Sequence, residues 1–400
     1  MANSFNFADI MARSQQDVFM KKSVAMILAE NKSMALTYGK SYQRPYSSVS
    51  ADDDVDVMNR TSDLTVTDVS DTIETLTVDK QRSKVLEVHD WDEIQSSYPL
   101  ASTYGDQFGE IMKSKIDMDV LYEVVNSLNT VDAGSVWGTA GQGIDLTSSN
   151  VAETVFAVTR ELHESNVIDT DFVAAVSPKF EQKIASYYGA KVTDLGDNVS
   201  QNGYFNQIAG FKLYSTNNLT CSAVLALATN PTANDTVTIG GVTFTFVSSI
   251  GSTAGNVLIG GSADASRANL AALINAPWTT TATGVALSTA NIRKVTARLT
   301  AVNDDTANTL TVYYKGANSL TTAETLTAVA DVWTSTLKKQ LNVFGIRNKC
   351  TTLIFQKKAT VEVTRRPLQF SNYIKSGMLY GIKTFKDNAQ RMVKVEILDN

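Results

Sequence analysis

At 400 residues, with 43% hydrophobic and 19% charged side chains, the chain can bury a substantial core, spread over roughly two to three domains. Its net charge of −6 and pI near 5.1 argue against a dedicated nucleic-acid binder, because such proteins present a basic face. No apolar run approaches the roughly 18–20 residues that span a membrane. The N-terminus shows no secretory pattern, so synthesis and assembly in a cytoplasm are expected. Cys221 and Cys350 match no zinc or redox spacing and are expected as free, buried thiols.

Residues 1–45 contain a helical run, ADIMARSQQDVFMKKSVAMILAENK, with Asn3 or Asp9 as N-cap and a weak apolar side at Met11, Val18, Val24, Ile27 and Leu28. It reads equally as an arm laid on another subunit or as an N-terminal core helix. From Tyr46 to Asp90 the pattern changes. SSVSADDDVDVMNRTSD is polar and acidic, then LTVTDV, TIETLTVD and SKVLEVHD alternate apolar with polar, which predicts strands. The run Asp52, Asp53, Asp54 and Asp56 lacks the glycine and distal glutamate of a calcium loop, so it is read as a solvated or inter-subunit acidic patch, with Arg60 beside it. A long hairpin exposed on both faces suits a position against a neighbouring subunit.

Between Asp92 and Asn129, steps of 3.6 residues from Tyr104 collect Tyr104, Phe108, Ile111, Met112, Met118, Tyr122 and Val125 on one face. This predicts an amphipathic helix from Ser102 to Leu128, about 40 Å long at ~1.5 Å per residue. The following glycines, Gly138, Gly141 and Gly143, lack phosphate-loop spacing and read as a flexible turn. Residues 150–220 form an α/β unit. It contains a helix after Asn150 as N-cap, a buried strand FVAAVSP, and a helix KFEQKIASYYG stopped by Gly189. The turn and strand of NGYFNQIAGFKLYSTNNL complete it.

Residues 221–339 are different material. Between Cys221 and Ile292 the charged residues are Asp235, Asp264 and Arg267 alone, among Thr, Ala, Ser, Gly, Asn and Val. NDTVTIGGVTFTFV predicts a hairpin around Gly240 and Gly241. Ser262 caps a short helix, and NIRKVTARLTAV with NTLTVYYKGA predicts a second hairpin around Asn303, Asp304 and Asp305. This reads as a module inserted between two strands of a host domain. From Leu341 the earlier character returns, with basic residues Lys357, Lys358, Arg365 and Arg366, strands, and a tight turn at Lys386, Asp387 and Asn388.

Catalytic equipment is sparse. His89 and His163 belong to no Ser/His/Asp or zinc-binding arrangement, and no phosphate-binding loop is present. Neither an enzymatic activity nor a cofactor or metal is expected.

In chain order, a helical arm, an acidic β-loop, a spine-like helix, an α/β unit, an insert and a returning sheet resemble the major capsid proteins of tailed double-stranded DNA phages. These have the Hong Kong 97-like fold. The likeness rests on VLEVHDWDEIQSSYPLASTYGDQFGEIMKSKIDMDVL, NGYFNQIAGFKLYSTNNL and RRPLQFSNYIKSGMLYGIKTF. The resemblance implies an α+β fold with an N-terminal arm over 1–45 and an E-loop over 46–91. A P-domain with the spine helix would occupy 92–149 and 360–400, an A-domain 150–220 and 340–359, and a β-rich α+β insertion domain 221–339. It further implies a structural protein forming pentamers and hexamers of an icosahedral shell, located in the virion capsid after assembly in the host cytoplasm. That shell would enclose double-stranded DNA without sequence-specific binding. Portal, scaffolding and decoration proteins would be its further partners.

In such a shell the E-loop lies on a neighbour's spine helix or P-domain. Asp52, Asp53, Asp54 and Asp56 would then meet Lys357 and Lys358, or Arg365 and Arg366, of the next subunit. Lys80 and Lys84 have no assignable acidic catalyst for a covalent crosslink, so noncovalent assembly is expected. An encapsulin-like compartment, a phage tail or adhesin component, and an enzyme with an inconspicuous cleft stay open as alternatives. The second of these lacks the internal repeats usual in its class.

Overall fold

The computed structural model describes residues 23–36, 38–47, 71–95, 100–168, 171–191, 207–296 and 298–398. A helical turn, α1 (Ala25–Leu28), runs straight into β1 (Ala29–Asn31), and β2 (Ser41–Ser47) pairs antiparallel with β3 (Asp71–Thr77) as a ribbon. Then come β4 (Lys80–His89), α2 (Asp90–Gln95) and the long helix α3 (Leu100–Tyr122), which tightens into a 3-10 turn over Glu123–Asn126. The α/β unit contains β5 (Asn129–Val131), α4 (Ala133–Val136), α5 (Val151–Glu164), β6 (Phe172–Val176), α6 (Pro178–Gly189), β7 (Gln207–Ile208) and β8 (Phe211–Ser215).

The Thr/Ala-rich stretch supplies β9 (Thr220–Ala226), β10 (Thr236–Ile239), β11 (Val242–Val247), β12 (Asn256–Leu258) and α7 (Ala263–Asn275). It continues with α8 (Thr289–Thr296), β13 (Leu299–Asp304), β14 (Thr309–Lys315) and β15 (Thr322–Glu324). The chain closes with β16 (Lys339–Ile346), β17 (Thr351–Arg365), β18 (Ser371–Lys383), α9 (Lys386–Gln390) and β19 (Met392–Leu398).

Two sheets flank α3. One is nine-stranded and centred on β16, which pairs with β19 along one edge and with β9 and then β6 along the other. Both β6 and β16 are buried along their whole length, as strands covered on both faces must be. The polar residues of β16 are matched in part, the buried Nδ2 of Asn342 having no hydrogen-bond partner among the described residues. Lys339 is ion-paired with Glu396, and the Ser177 amide donates to Asn342 Oδ1 at 2.8 Å. The second sheet has four strands in the order β1-β17-β18-β4. From α3, Met112 and Val120 pack on Leu353, Met378 and Ile382 of this sheet, while Leu121 joins Val173, Leu341 and Val343 of the other. The helix is therefore buried all round at its C-terminal end. That explains why Asp117, Asp119 and Glu123 are buried beside the predicted apolar positions Phe108, Met112 and Met118.

The Thr/Ala-rich stretch has its own core, which includes Phe244, Phe246, Leu270 and Ile274. Its centre is closed by Arg267, fully buried, whose Nε donates to Asn303 Oδ1 at 3.0 Å and whose guanidinium also meets Leu227 O and Asp264. The change of composition at Cys221 is nevertheless no break in the sheet. β9, β14 and β13 extend the nine-stranded sheet outward from β16, while β10, β11, β12 and β15 make a separate four-stranded sheet. Positive φ at Gly240 (57°) and Gly241 (75°) fits the tight hairpin turn expected there.

Several local expectations are corrected. NIRKVT is not a strand but lies in α8, where Ile292 and Val295 share a face and Arg293 and Lys294 favour the helix C-terminus. Asn150 stands at the N-cap of α5, but its Oδ1 accepts from Thr147 N instead of capping the helix. Gly189 is the last residue of α6, and the C-cap is Ala190. The turn at Lys386, Asp387 and Asn388 is helical, in α9, and the N-terminal helical run is already a strand by Ala29. Both cysteines are free and buried, as expected.

One close approach joins the Thr/Ala-rich stretch to α3. Gly316 has φ 72°, and a Cβ there would lie 1.8 Å from Met118 Sδ. Gly316→Ala is expected to cost about 2–4 kcal/mol, combining left-handed backbone strain with overpacking. Denaturant unfolding checks this, and Met118→Ala should recover part of the loss in the double variant.

Candidate assembly surface and its buried charge network

The acidic patch Asp52, Asp53, Asp54 and Asp56, with Arg60, lies outside the described residues. Its expected basic counterparts are all on β17 or just after it, at two separate places. Lys357 and Lys358 are exposed, where the pairing of β17 with β18 shifts register between Phe355 and Thr360. Arg365 and Arg366 sit at the far end, and both already have partners in their own chain. Arg365 Nη2 is 2.9 Å from Asp90 Oδ2, and Arg366 Nη1 is 2.9 Å from Glu87 Oε1. Ser371 Oγ also donates to Glu87 at 2.7 Å, and Asn372 Nδ2 to Asp90 at 3.2 Å. The Ser371 hydroxyl and then the Arg366 guanidinium hold Glu87 below the usual carboxylate range.

These pairs tie the β17–β18 turn to the end of β4 and the start of α2, and they neutralise its charge. What the tip then presents is apolar. Trp91 (64% exposed) and Phe370 (65%) meet edge to face at 6.2 Å, with Ile94 and Leu368 (93%) also exposed. Exposed apolar side chains clustered in this way make a candidate interaction surface. Beyond β1, which covers Thr351–Leu353, the outer edge of β17 has no strand partner among the described residues. Arg366 N donates to Ser371 O, so the alternation of an antiparallel ladder turns the amides of Val361, Val363 and Arg365 away from β18.

Behind this surface, α3 and the 3-10 turn that follows it carry three buried carboxylates. Asp117 Oδ1 accepts from Ser23 Oγ at 3.0 Å, Val24 N at 2.7 Å and Ala25 N at 2.5 Å, while Oδ2 accepts from Asn218 Nδ2 at 2.8 Å. It therefore pins the start of α1. Burial pushes its carboxyl up, against the pull of those donors.

Glu123 is pushed up by burial and receives Asn126 Nδ2 at 2.9 Å and the Thr384 hydroxyl at 3.3 Å. Asp119, 2% exposed, joins four elements: Tyr380 Oη of β18 at 2.6 Å, Arg82 Nη2 of β4 at 3.1 Å and Lys315 Nζ of β14 at 3.5 Å converge on it from α3. Burial alone would raise the Asp119 carboxyl, but Lys315 and then Arg82 outweigh it and hold the group below its ordinary value. Burial lowers Lys315, whose ammonium also lies 3.8 Å from the centre of the Tyr122 ring. None of these carboxylates was marked as special by the helical periodicity. Among the described residues no group of His, Cys, Asp and Glu is placed to hold a metal ion.

No protein-family model and no curated protein sequence matches the chain. Solved structures do. A structure from Mycobacterium phage Che8 is similar at a TM-score of 0.56 and 13% identity, covering 98% of each chain. The capsid structure of the cyanophage P-SCSP1u is similar at 0.55 and 12% identity, covering 98% of this chain and 94% of that one. The mature capsid of bacteriophage PhiM1 is similar at 0.54 and 10% identity, covering 98% and 92%. The fold is the α+β, Hong Kong 97-like fold of phage capsid structures.

Asp119 gives a prediction with a definite sign. Its folded-state carboxyl lies below its unfolded value, so its stabilisation is complete above the unfolded value of about 4 and is lost as pH falls through the lower folded value. Asp119→Asn leaves two partly buried cations without their anion, at an expected cost of at most about 3–5 kcal/mol at pH 7. Thermal unfolding across pH should show the gap between wild type and variant closing below about pH 4.

Proposed function

We propose that the chain is a structural subunit of a phage capsid shell and not an enzyme. The observation that carries this reading is a fold likeness running over 98% of the chain to phage capsids such as that of P-SCSP1u. It is supported by the apolar cluster of Trp91, Leu368 and Phe370 at the tip, an exposed patch of the kind that interaction surfaces present.

In this reading copies associate as pentamers and hexamers of an icosahedral shell that encloses double-stranded DNA. A net charge of −6 suits a container that does not grip the phosphate backbone. The virion capsid, assembled in the host cytoplasm, would be its location, with portal, scaffolding and decoration proteins as further partners.

We take the N-terminal arm as residues 1–45, the E-loop as 46–91 and the insertion domain as 221–339. The P-domain is best drawn around α3 with β17 and β18, on which β4 of the E-loop pairs as a further strand. The A-domain then comprises β5 to β8 with β16 and β19, because β5 and β19 pair within the nine-stranded sheet. A boundary at residues 359 and 360 falls inside β17, which would run through both domains. The E-loop of one subunit would bring Asp52, Asp53, Asp54, Asp56 and Arg60 against Lys357 and Lys358, or Arg365 and Arg366, of its neighbour, without covalent linkage.

Electron microscopy of the purified chain tests the whole reading: closed shells, tubes or partial shells are expected, and a discrete trimeric rod would overturn it. Charge reversal at both Arg365 and Arg366 tests the contact. Exposed pairs contribute little to stability, so the subunit should fold with a nearly unchanged melting temperature while shell formation fails. Normal shells from that variant would rule the contact out.

A further inference from the structure

The buried cluster at Asp119 has unequal numbers of charges. Among the described residues, Asp119 is the one carboxylate in ion-pair distance of Arg82 and of Lys315. Arg82 takes Oδ2 at 3.1 Å, sharing it with Tyr380, and Lys315 approaches Oδ1 at a longer 3.5 Å. Neither cation is fully served. Arg82 Nε is buried without a hydrogen-bond partner, and Lys315 is offset toward the Tyr122 ring. The two cations also repel one another, with Lys80 of β4 adding to the positive side and Glu123 to the negative.

Arg82 and Lys315 come from parts of the chain with separate packing. β4 leads directly from the β2–β3 ribbon, whereas Lys315 ends β14 at the root of the Thr/Ala-rich stretch, next to the close contact of Gly316 with Met118.

We propose that Arg82 and Lys315 compete for Asp119, so that loosening β4 from α3 tightens β14 on it, and the reverse. The carboxylate is a charge-sharing coupler between the base of the β2–β3 ribbon and the root of the Thr/Ala-rich stretch. When β4 withdraws Arg82, repulsion on Lys315 falls and the freed oxygen becomes available to its ammonium. Asp119 is a positioning residue here, acting through the two segments it holds. Such coupling is reciprocal by thermodynamic necessity: the effect of β4 on β14 equals that of β14 on β4.

Hydrogen–deuterium exchange of the full chain, with wild type and variants compared in the same assembly state, tests this. Arg82→Gln should speed exchange in β4 and slow it about fivefold in β14, fivefold being the lower end of ordinary couplings between sites. Lys315→Gln should slow exchange in β4 by the same factor, and Asp119→Asn should speed both. Lys315→Arg, which keeps the charge, should leave β4 as in wild type. A merely structural cluster gives a different pattern: each cation variant speeds exchange in both segments, or alters its own segment alone. Either result overturns the proposal. If Arg82→Gln does not fold, Lys315→Gln read at β4 decides the same question through reciprocity.

Discussion

A carboxylate removed from water must be met by donors or cations, and that requirement shapes the centre of this protein. Three carboxylates lie on the last turns of α3 and the 3-10 turn after it, and each is satisfied by a different part of the chain. Asp117 holds the start of α1, Asp119 holds β4, β14 and β18 together, and Glu123 receives Asn126 and Thr384. A helix that contacted one sheet only could have kept these residues on its wet side. Because α3 is enclosed between two sheets, it has no wet side there, and the surrounding elements are positioned by polar contacts as well as by packing. Removing one partner of a buried pair costs far more than the pair contributes relative to an apolar substitute. The arrangement therefore specifies one geometry more strongly than it stabilises it.

Much of the architecture was legible from pattern alone. The long helix, the hairpin at Gly240 and Gly241, and the helix capped by Ser262 follow from periodicity and turn chemistry, which act locally. So did the buried strand FVAAV and the order of elements that resembles the capsid fold. What escaped was decided at a distance. NIRKVT has residues that suit a strand, yet Ile292 and Val295 found a core to face at helical spacing. The acidic residues of IDMDVLYEV looked like the polar side of an amphipathic helix, and nothing within the helix reveals that Arg82, Lys315 and Tyr380 await them. The one available hint was the i, i+2 spacing of Asp117 and Asp119, which places carboxylates on different faces of a helix otherwise rich in apolar residues.

Composition also proved a different kind of boundary from topology. The change at Cys221 separates one hydrophobic core from another, but β9 carries the hydrogen-bond ladder straight across it. Cores are set by which side chains exclude water together, whereas sheets grow wherever an edge is offered. A stretch whose first strand, β9, joins the edge of another sheet gains its orientation from that sheet's backbone, independently of its own side chains.

The outer edge of β17 beyond β1, which has no strand partner among the described residues, has a consequence for the isolated chain in solution. Between Thr360 and Thr364 it presents alternating Thr, Val and Glu, a sequence well suited to pairing with any strand that arrives. A register shift and two lysines, Lys357 and Lys358, guard one end. Such guarding is electrostatic, so its reach shrinks from about 10 Å at 0.1 M salt to about 3 Å at 1 M. The colloidal behaviour of the free chain is thus tied to ionic strength through that strand, and concentrated salt is the condition in which its edge is least selective.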